Sequence, residues 1–342
     1  MIVALDLGCS EFRSLRMQRN RLVARRMPAV YCVLENQPQN RRFLESSRID
    51  YSSTAGELLV LGHDAVSCAQ TLKQPLVPVL PDGHMPYEDS VGRQICALML
   101  NALLPTVSRH EKGLCVASIP GNREDALFFN QIIQLHRFAP TTVPSSQAIT
   151  LAELEGSQYC GLGISIGAQE LSISLNMFGK PIYSATYHRG ANHVAMEFAK
   201  KRHKYLWDFQ GNRTYDLAAV DQWQRQGRFS LMAPQNGDEE LLATLYWRLL
   251  VDAWTALFPD LLRVADLPHA QRNFDVVISG GPTALSGFSE LLTESLRHVH
   301  CPLHLGDMHV ASDSFSVSRG LLVHARSIVD ADRTAGLSSR VA

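Results

Sequence analysis

This chain lacks a charge excess, a cysteine pattern and a glycine-rich phosphate loop, and each absence removes a class of function. Its 342 residues carry 32 Lys+Arg against 33 Asp+Glu. That balance argues against a protein devoted to nucleic acid, and none is expected as a partner, although a local basic patch is compatible with it. Cys9, Cys32, Cys68, Cys96, Cys115, Cys160 and Cys301 are odd in number and have no CxxC spacing. Such a set is expected of reduced, partly buried thiols in a cytoplasmic protein. The N-terminus, MIVALDLG, enters a strand at once, with no basic region or small-residue cleavage site, so no signal peptide is expected. The longest apolar segment, ELLATLYWRLLVDAWTALF (240–258), is interrupted by Arg248 and Asp252. It suits a mostly buried helix better than a membrane span. His298, His300, His304 and His309, with Cys301 and Asp307 nearby, cross a helix end, a short strand (CPLHLG) and a loop, which specifies no zinc geometry. GCS (8–10) is not a nucleophile elbow.

What is present reads as one α/β organisation written twice. Residues 2–27 alternate as a meander of strands, and residues 161–187 do so again. ENQPQNRRFLESS is expected to be a loop, ELLVLGHDAVSCAQ a strand turning into a helix, and LVPVLPDGHMP a proline-broken connection. VGRQICALMLNALLPTV has helical spacing with Ile95, Leu98, Met99 and Ala102 on its apolar face; GLCVASIPG is a buried strand and REDALFFNQIIQLHRF a helix. In the second half, helices are expected at 192–207, 214–226 and 239–258. FDVVISGG follows as an apolar strand covered on both faces, then GFSELLTESLRHV as a helix. A duplicated two-domain fold with a cleft is the reading; a single irregular α/β domain is the alternative. Arg13, Arg16, Arg19, Arg21, Arg25 and Arg26 crowd the first meander; alternation puts some of them on the solvent side, and they read as a solvated, charge-protected sheet edge, with a basic rim for anionic lipid, an acidic partner or nucleic acid as the alternative. KKRHK (200–204) ends a helix, where basic residues suit the dipole.

Several stretches resemble, in order over residues 2–325, the actin-like ATPases and among them the bacterial MreB branch. ALDLGCSEF resembles the first phosphate segment and ISIGAQELSISLNMFGKPI the second phosphate hairpin. LLVLGHDAVSCAQ with LVPVLPDGHMP, and IPGNREDALFF, resemble the intervening steps of the first domain. RGANHVAMEFAKKRHKYL resembles the connecting loop and its helix, and GNRTYDLAAV the helix flanking the nucleotide. VVISGGPTALSGFSELL resembles the adenosine segment, and ASDSFSVSRGLLVHA the segment that returns to the first domain. The resemblance implies an actin-like (ribonuclease H-like) duplicated α/β fold with a central cleft. Domain I would span 1–144 plus 316–342, and domain II 145–315.

The nucleotide site implied by the resemblance reads as degenerate. Its vestige is Asp6, Gly8, Ser10, Gly167, Gly190, Gly280 and Gly281. Asp6 matches the family's acid near metal and phosphates, but Glu11 and Phe12 stand where small or hydroxyl residues are preferred, and Glu11 adds negative charge. In the second hairpin Ser165 replaces the aspartate, and Gly167 is followed by Ala168, Gln169 and Glu170 in place of further glycines. A neutral serine is a poor magnesium partner. Where the family presents a water-orienting glutamate, this chain has Ser145, Ser146 and Gln147, while Glu153 and Glu155 are expected to face solvent. Arg213 and Thr214 fit the flanking helix, but Leu217 and Ala219 stand where charged ribose contacts are expected.

The expectation is therefore a catalytically inactive or nucleotide-independent actin-like scaffold with no cofactor, ATP and magnesium being disfavoured. It would act through self-association or a cytoskeletal or membrane-complex protein. An active MreB-like ATP-binding filament protein, an FtsA/PilM-like adaptor and a sugar kinase are the alternatives. The tail VDADRTAGLSSRVA reads as small, polar and frayed. Membrane association is accordingly expected only through a partner.

Overall fold

A computed structural model describes residues 1–19, 21–53, 56–107, 111–207, 211–265 and 273–338. The chain opens with three strands, β1 (Ile2–Leu7), β2 (Glu11–Gln18) and β3 (Arg21–Pro28). A smaller unit follows: β4 (Val30–Glu35), α1 (Pro38–Ser46), β5 (Ser52–Ser53), β6 (Glu57–Leu61), α2 (Gly62–Leu72) and β7 (Leu76–Pro78). Then come α3 (Ser90–Leu103), β8 (Gly113–Ser118), α4 (Arg123–Leu135), β9 (Phe138–Thr142) and α5 (Ser145–Glu153). The meander returns as β10 (Gly161–Ile166), β11 (Leu171–Met177) and β12 (Lys180–Tyr187). It is followed by α6 (Ala191–Lys201), β13 (Tyr205–Trp207), β14 (Arg213–Tyr215), α7 (Leu217–Gln226) and α8 (Gly237–Ala265). The chain closes with β15 (Phe274–Gly280), α9 (Phe288–His298), β16 (Leu305–Val310) and α10 (Ser316–Ser338).

The two large sheets have the same wiring: β3-β2-β1-β8-β9 and β12-β11-β10-β15-β16. In each, an antiparallel meander supplies three strands and two parallel strands complete the sheet. The first sheet packs its core with Phe12, Phe129, Met99 and Leu100. The second packs against α8, whose Tyr246, Trp254 and Phe258 join Phe198 and Phe288. By length and composition α8 could cross a membrane, but here most of its large apolar residues pack into the core.

A third cluster joins the sheets: Ala4 and Val116 from the first, Val277 from the second, Ala148 and Ile149 from α5, and Val317, Leu321 and Ala325 from α10. The approach of α5 to α10 requires Gly320, where a β-carbon would sit 1.7 Å from the Ala148 carbonyl oxygen. The four-stranded sheet β5-β6-β4-β7 carries its own small core of Cys32, Leu44, Val60 and Cys68.

Several local expectations are corrected. Residues 38–46 form α1 rather than a loop, because Pro38 starts the helix and Leu44 is buried under it. On α3, Leu98 and Ala102 are exposed, and Cys96, Leu100 and Leu103 join Ile95 and Met99 inside. The helix expected at 192–207 stops at Lys201, and Arg213 and Thr214 belong to β14, not to a helix. The strand expected at CPLHLG begins only at Leu305 and runs to Val310. The polar tail is helical as far as Ser338, and its last four residues lie outside the described residues.

Candidate functional site

Two equivalent turns define the site. In the first hairpin the Gly8 N–H donates to the Glu11 carbonyl at 3.2 Å; in the second the Gly167 N–H donates to the Glu170 carbonyl at 2.8 Å. A turn of that length places Asp6 opposite Arg13 across β1 and β2, and Ser165 opposite Ser172 across β10 and β11.

Asp6 is 6% exposed, and Arg13 Nη1 donates to its Oδ2 at 2.9 Å. Burial pushes the Asp6 carboxyl up, and the Arg13 charge and hydrogen bond oppose it. Arg13 also donates from Nε to Glu11 Oε2 at 2.7 Å, and Arg26 Nε lies 3.9 Å from Glu11 Oε1. The negative charge that Glu11 adds is thereby compensated: Arg13 faces inward and ties both acids. Arg25 is likewise committed, donating to the Ala102 carbonyl at 2.6 Å.

The second turn reaches toward residues of the first half. Glu170 Oε2 accepts from the Gly121 N–H at 3.4 Å. A β-carbon on Gly83 would meet Gln169 Cβ at 3.1 Å and Cys9 Sγ at 3.8 Å, so the two turns and the 81–84 segment lie together. Burial pushes Glu170 up, with Asp125 adding to the rise; the Gly121 N–H and His84 oppose it. Cys9 is pushed up to about 12 by burial and then by Glu170, which leaves a protonated, unreactive thiol.

Beside them, Asp125 gathers its partners. It completes a capping box at the start of α4 with Asn122 and accepts from His84 Nδ1 at 2.9 Å, the Met85 N–H at 2.7 Å and the Tyr87 hydroxyl at 3.2 Å. Burial pushes its carboxyl up, but the Asn122 N–H, His84 and the Met85 N–H outweigh that and hold it below the usual range. The His84 ring lies 6.4 Å from that of His188, which follows β12.

The remaining site residues fall into place around this centre. Ser10 is exposed and its carbonyl accepts from the Ala29 N–H. Gly190 is buried against the second turn, where a β-carbon would meet the Gly167 carbonyl at 2.4 Å; Gly167 and Ala168 also accept the Ala191 and Asn192 N–H groups of α6. Gly280 has φ +122 and would drive a β-carbon to 1.9 Å from the Ile166 carbonyl, whereas Gly281 faces open space. Ser145 and Ser172 share a hydroxyl hydrogen bond at 3.1 Å.

One further contact bears on a candidate residue, and one expectation is corrected. Gln147 is buried and donates to the Gly179 carbonyl at 3.1 Å, so it is committed to the β11–β12 turn. Glu153 does not face solvent freely: it accepts from Ser316 at 2.6 Å and pairs with Arg319 of α10 at 2.5 Å. Glu155 is exposed, as expected. Among the described residues no group of three or more His, Cys, Asp and Glu is placed to hold a metal ion.

Sequence reading missed Arg13 as the partner of Asp6, and missed His84, Asp125 and Gly121. The signal for Arg13 was present, since a turn closed by Gly8 and Glu11 sets residue 13 opposite residue 6. No local signal announced that Asp125 and Glu170 would come together near His84.

Compared with known proteins, the Volactin family model matches residues 1–325. The chain belongs to the Volactin family. A search of curated proteins finds no match. Among solved structures, a MamK double helical filament has TM-score 0.68 at 15% identity, covering 95% of this chain and 98% of that one. MreB 5 of Spiroplasma citri bound to AMPPNP has TM-score 0.65 at 13% identity, covering 98% of each chain. A MamK filament seen by cryo-electron microscopy has TM-score 0.61 at 16% identity, covering 93% of this chain and 95% of that one. At such identities the likeness speaks for the fold: this Volactin-family chain has the actin-like architecture of MamK and MreB.

Proposed function

We propose that this chain is an actin-like scaffold that acts by self-assembly, or by binding a cytoskeletal or membrane-complex protein, without nucleotide turnover. The observation that carries the reading is the Asp6 carboxylate, engaged by Arg13 at 2.9 Å. In this reading magnesium–ATP does not fit the two turns. Magnesium needs carboxylate oxygens or ordered waters. Asp6 already serves a guanidinium, and the equivalent position in the second hairpin offers the Ser165 hydroxyl. A polyphosphate at the second turn would also meet the half-buried Glu170 carboxylate, where repulsion is stronger than in bulk water. The domain division at 144/145 and 315/316 is part of the same proposal, supported by the separate cores of the two large sheets.

Self-assembly is carried over from the neighbours that are themselves filaments, both of MamK. The AMPPNP of the MreB 5 structure is not carried over, for the reasons just given. We place the protein in the cytoplasm, in keeping with its seven dispersed, unpaired cysteines.

Sedimentation and electron microscopy across protein concentration, with and without ATP and magnesium, test the proposal. Assembly that is indifferent to nucleotide supports it, as does calorimetry without heat at millimolar ATP. Magnesium-dependent phosphate release that is abolished by Asp6→Ala would replace it with the active filament reading. A strict monomer under all conditions, with no co-purifying protein, would overturn it.

A further inference from the structure

Between α6 and α7 the chain makes a two-stranded ribbon with an exposed aromatic and cationic surface. Tyr205 pairs with Tyr215, Leu206 with Thr214 and Trp207 with Arg213. Strand alternation puts Tyr205, Tyr215, Trp207 and Arg213 on one face and Leu206 on the other. The two tyrosine rings lie 5.5 Å apart, and the Arg213 guanidinium sits 4.4 Å from the centre of the Tyr205 ring. Trp207 is 65% exposed, Leu206 41% and Tyr215 37%. Other exposed apolar side chains, such as Leu135 and Phe178, enter no ring pair or cation–π contact among the described residues and need no explanation.

The charge around the ribbon is also biased. Residues 197–216 hold five Lys/Arg against three Asp/Glu, in a chain that is otherwise balanced. Lys200 has Glu197 and Arg202 has Asp238, but Lys201, Lys204 and Arg213 have no carboxylate partner among the described residues. Asp216 is used as the cap of α7.

We propose that the β13–β14 ribbon is a peripheral docking element for an anionic lipid surface. Tyr and Trp sit well at the headgroup level, and adjacent Lys and Arg add attraction to anionic lipid. A platform for single-stranded nucleic acid would offer one stacking face and a cationic track. Here β13 exposes Trp207 on one face and Leu206 on the other, so large apolar side chains are available on both faces for shallow insertion. The contact would belong to this chain itself and so replaces the expectation that a partner supplies membrane association.

The test is sedimentation of the full chain with phosphatidylcholine vesicles, with and without phosphatidylglycerol. Binding is expected only with the anionic lipid and should weaken as salt rises. The triple variant Lys201→Glu, Lys204→Glu, Arg213→Glu should bind at least about tenfold more weakly. The pair Leu206→Ser, Trp207→Ser should do the same with unchanged thermal unfolding. Trp207→Phe should keep binding but lose the blue shift of tryptophan emission on vesicles. Failure to bind anionic vesicles, equal binding to neutral ones, or full binding by both ribbon variants would each overturn the proposal. So would loss of lipid-free assembly in the ribbon variants, which would make the ribbon a contact between copies. Vesicle-independent capture of a single-stranded oligonucleotide would overturn it as well.

Discussion

The two hairpins share one backbone and differ in their charges. Each closes its turn from a glycine N–H to a glutamate carbonyl, and each sets the strand position two residues before the glycine opposite the position two after the glutamate. In the first hairpin that pair is Asp6 and Arg13, an ion pair; in the second it is Ser165 and Ser172, two hydroxyls. The glutamates diverge in the same way. Glu11 is held by Arg13 and Arg26, while Glu170 meets a backbone N–H and a neighbouring histidine. A duplicated backbone thus keeps its geometry while its electrostatics are settled separately in each copy, because register is set by turn length and charge compensation by whatever side chains surround it.

The largest effect is expected from Arg13→Met. It leaves the Asp6 carboxylate buried without its cation, at a loss of about 3 kcal/mol in urea unfolding. The equivalent change in the second hairpin, Ser172→Ala, should lose only about 1 kcal/mol with the Ser145 hydrogen bond. Equal losses would break the comparison.

The strand end beside the second hairpin gives the next contrast. Gly280→Ala forces a β-carbon onto the Ile166 carbonyl at a positive φ and should lose roughly 3 kcal/mol, whereas Gly281→Ala, facing open space, should be within about 0.5 kcal/mol of wild type. Thermal melts of the two variants decide it.

Asp125→Asn should lose about 2 kcal/mol by weakening the α4 cap and the tie to His84 and the Met85 N–H. Its carboxyl is held below the usual range, so its contribution is present above the ordinary Asp value. It is lost as pH falls through the lower folded value. Wild-type and variant stabilities should therefore converge in acid.

The smallest effect sharpens the comparison most, because its sign reverses between the hairpins. Glu11→Gln should destabilise by up to about 1 kcal/mol, since it removes an ion-paired carboxylate. Glu170→Gln should stabilise by a similar or smaller amount at neutral pH. Its carboxyl is raised by burial, so the folded state disfavours the charged form as pH rises through the folded value. The gain should vanish below the ordinary Glu range. Unfolding curves at neutral and acid pH would show both signs, and like signs would mean that the two turns are electrostatically alike.

Much of this was legible in the residues. Alternation marked both meanders, the mostly apolar run of FDVVISGG marked a strand buried on both faces, and Gly8 and Gly167 marked the turns. The helix at 38–46 was obscured because polar residues outnumber the one buried leucine, and α10 was cut short because its end is small and polar. Arg213 and Thr214 read as helical only because their resemblance was to a helix.

By itself the sequence determined the repeated meander and, through turn length, the register that sets Asp6 against Arg13, because these depend on spacing between near neighbours in the chain. Only the tertiary structure decided that Gln147 is spent on Gly179, that Glu153 is paired with Arg319, and that Glu170 lies against Gly121 beside His84 and Asp125. The state of a buried polar group is set by the field and hydrogen bonds of whatever packs around it, and here those groups arrive from distant parts of the chain.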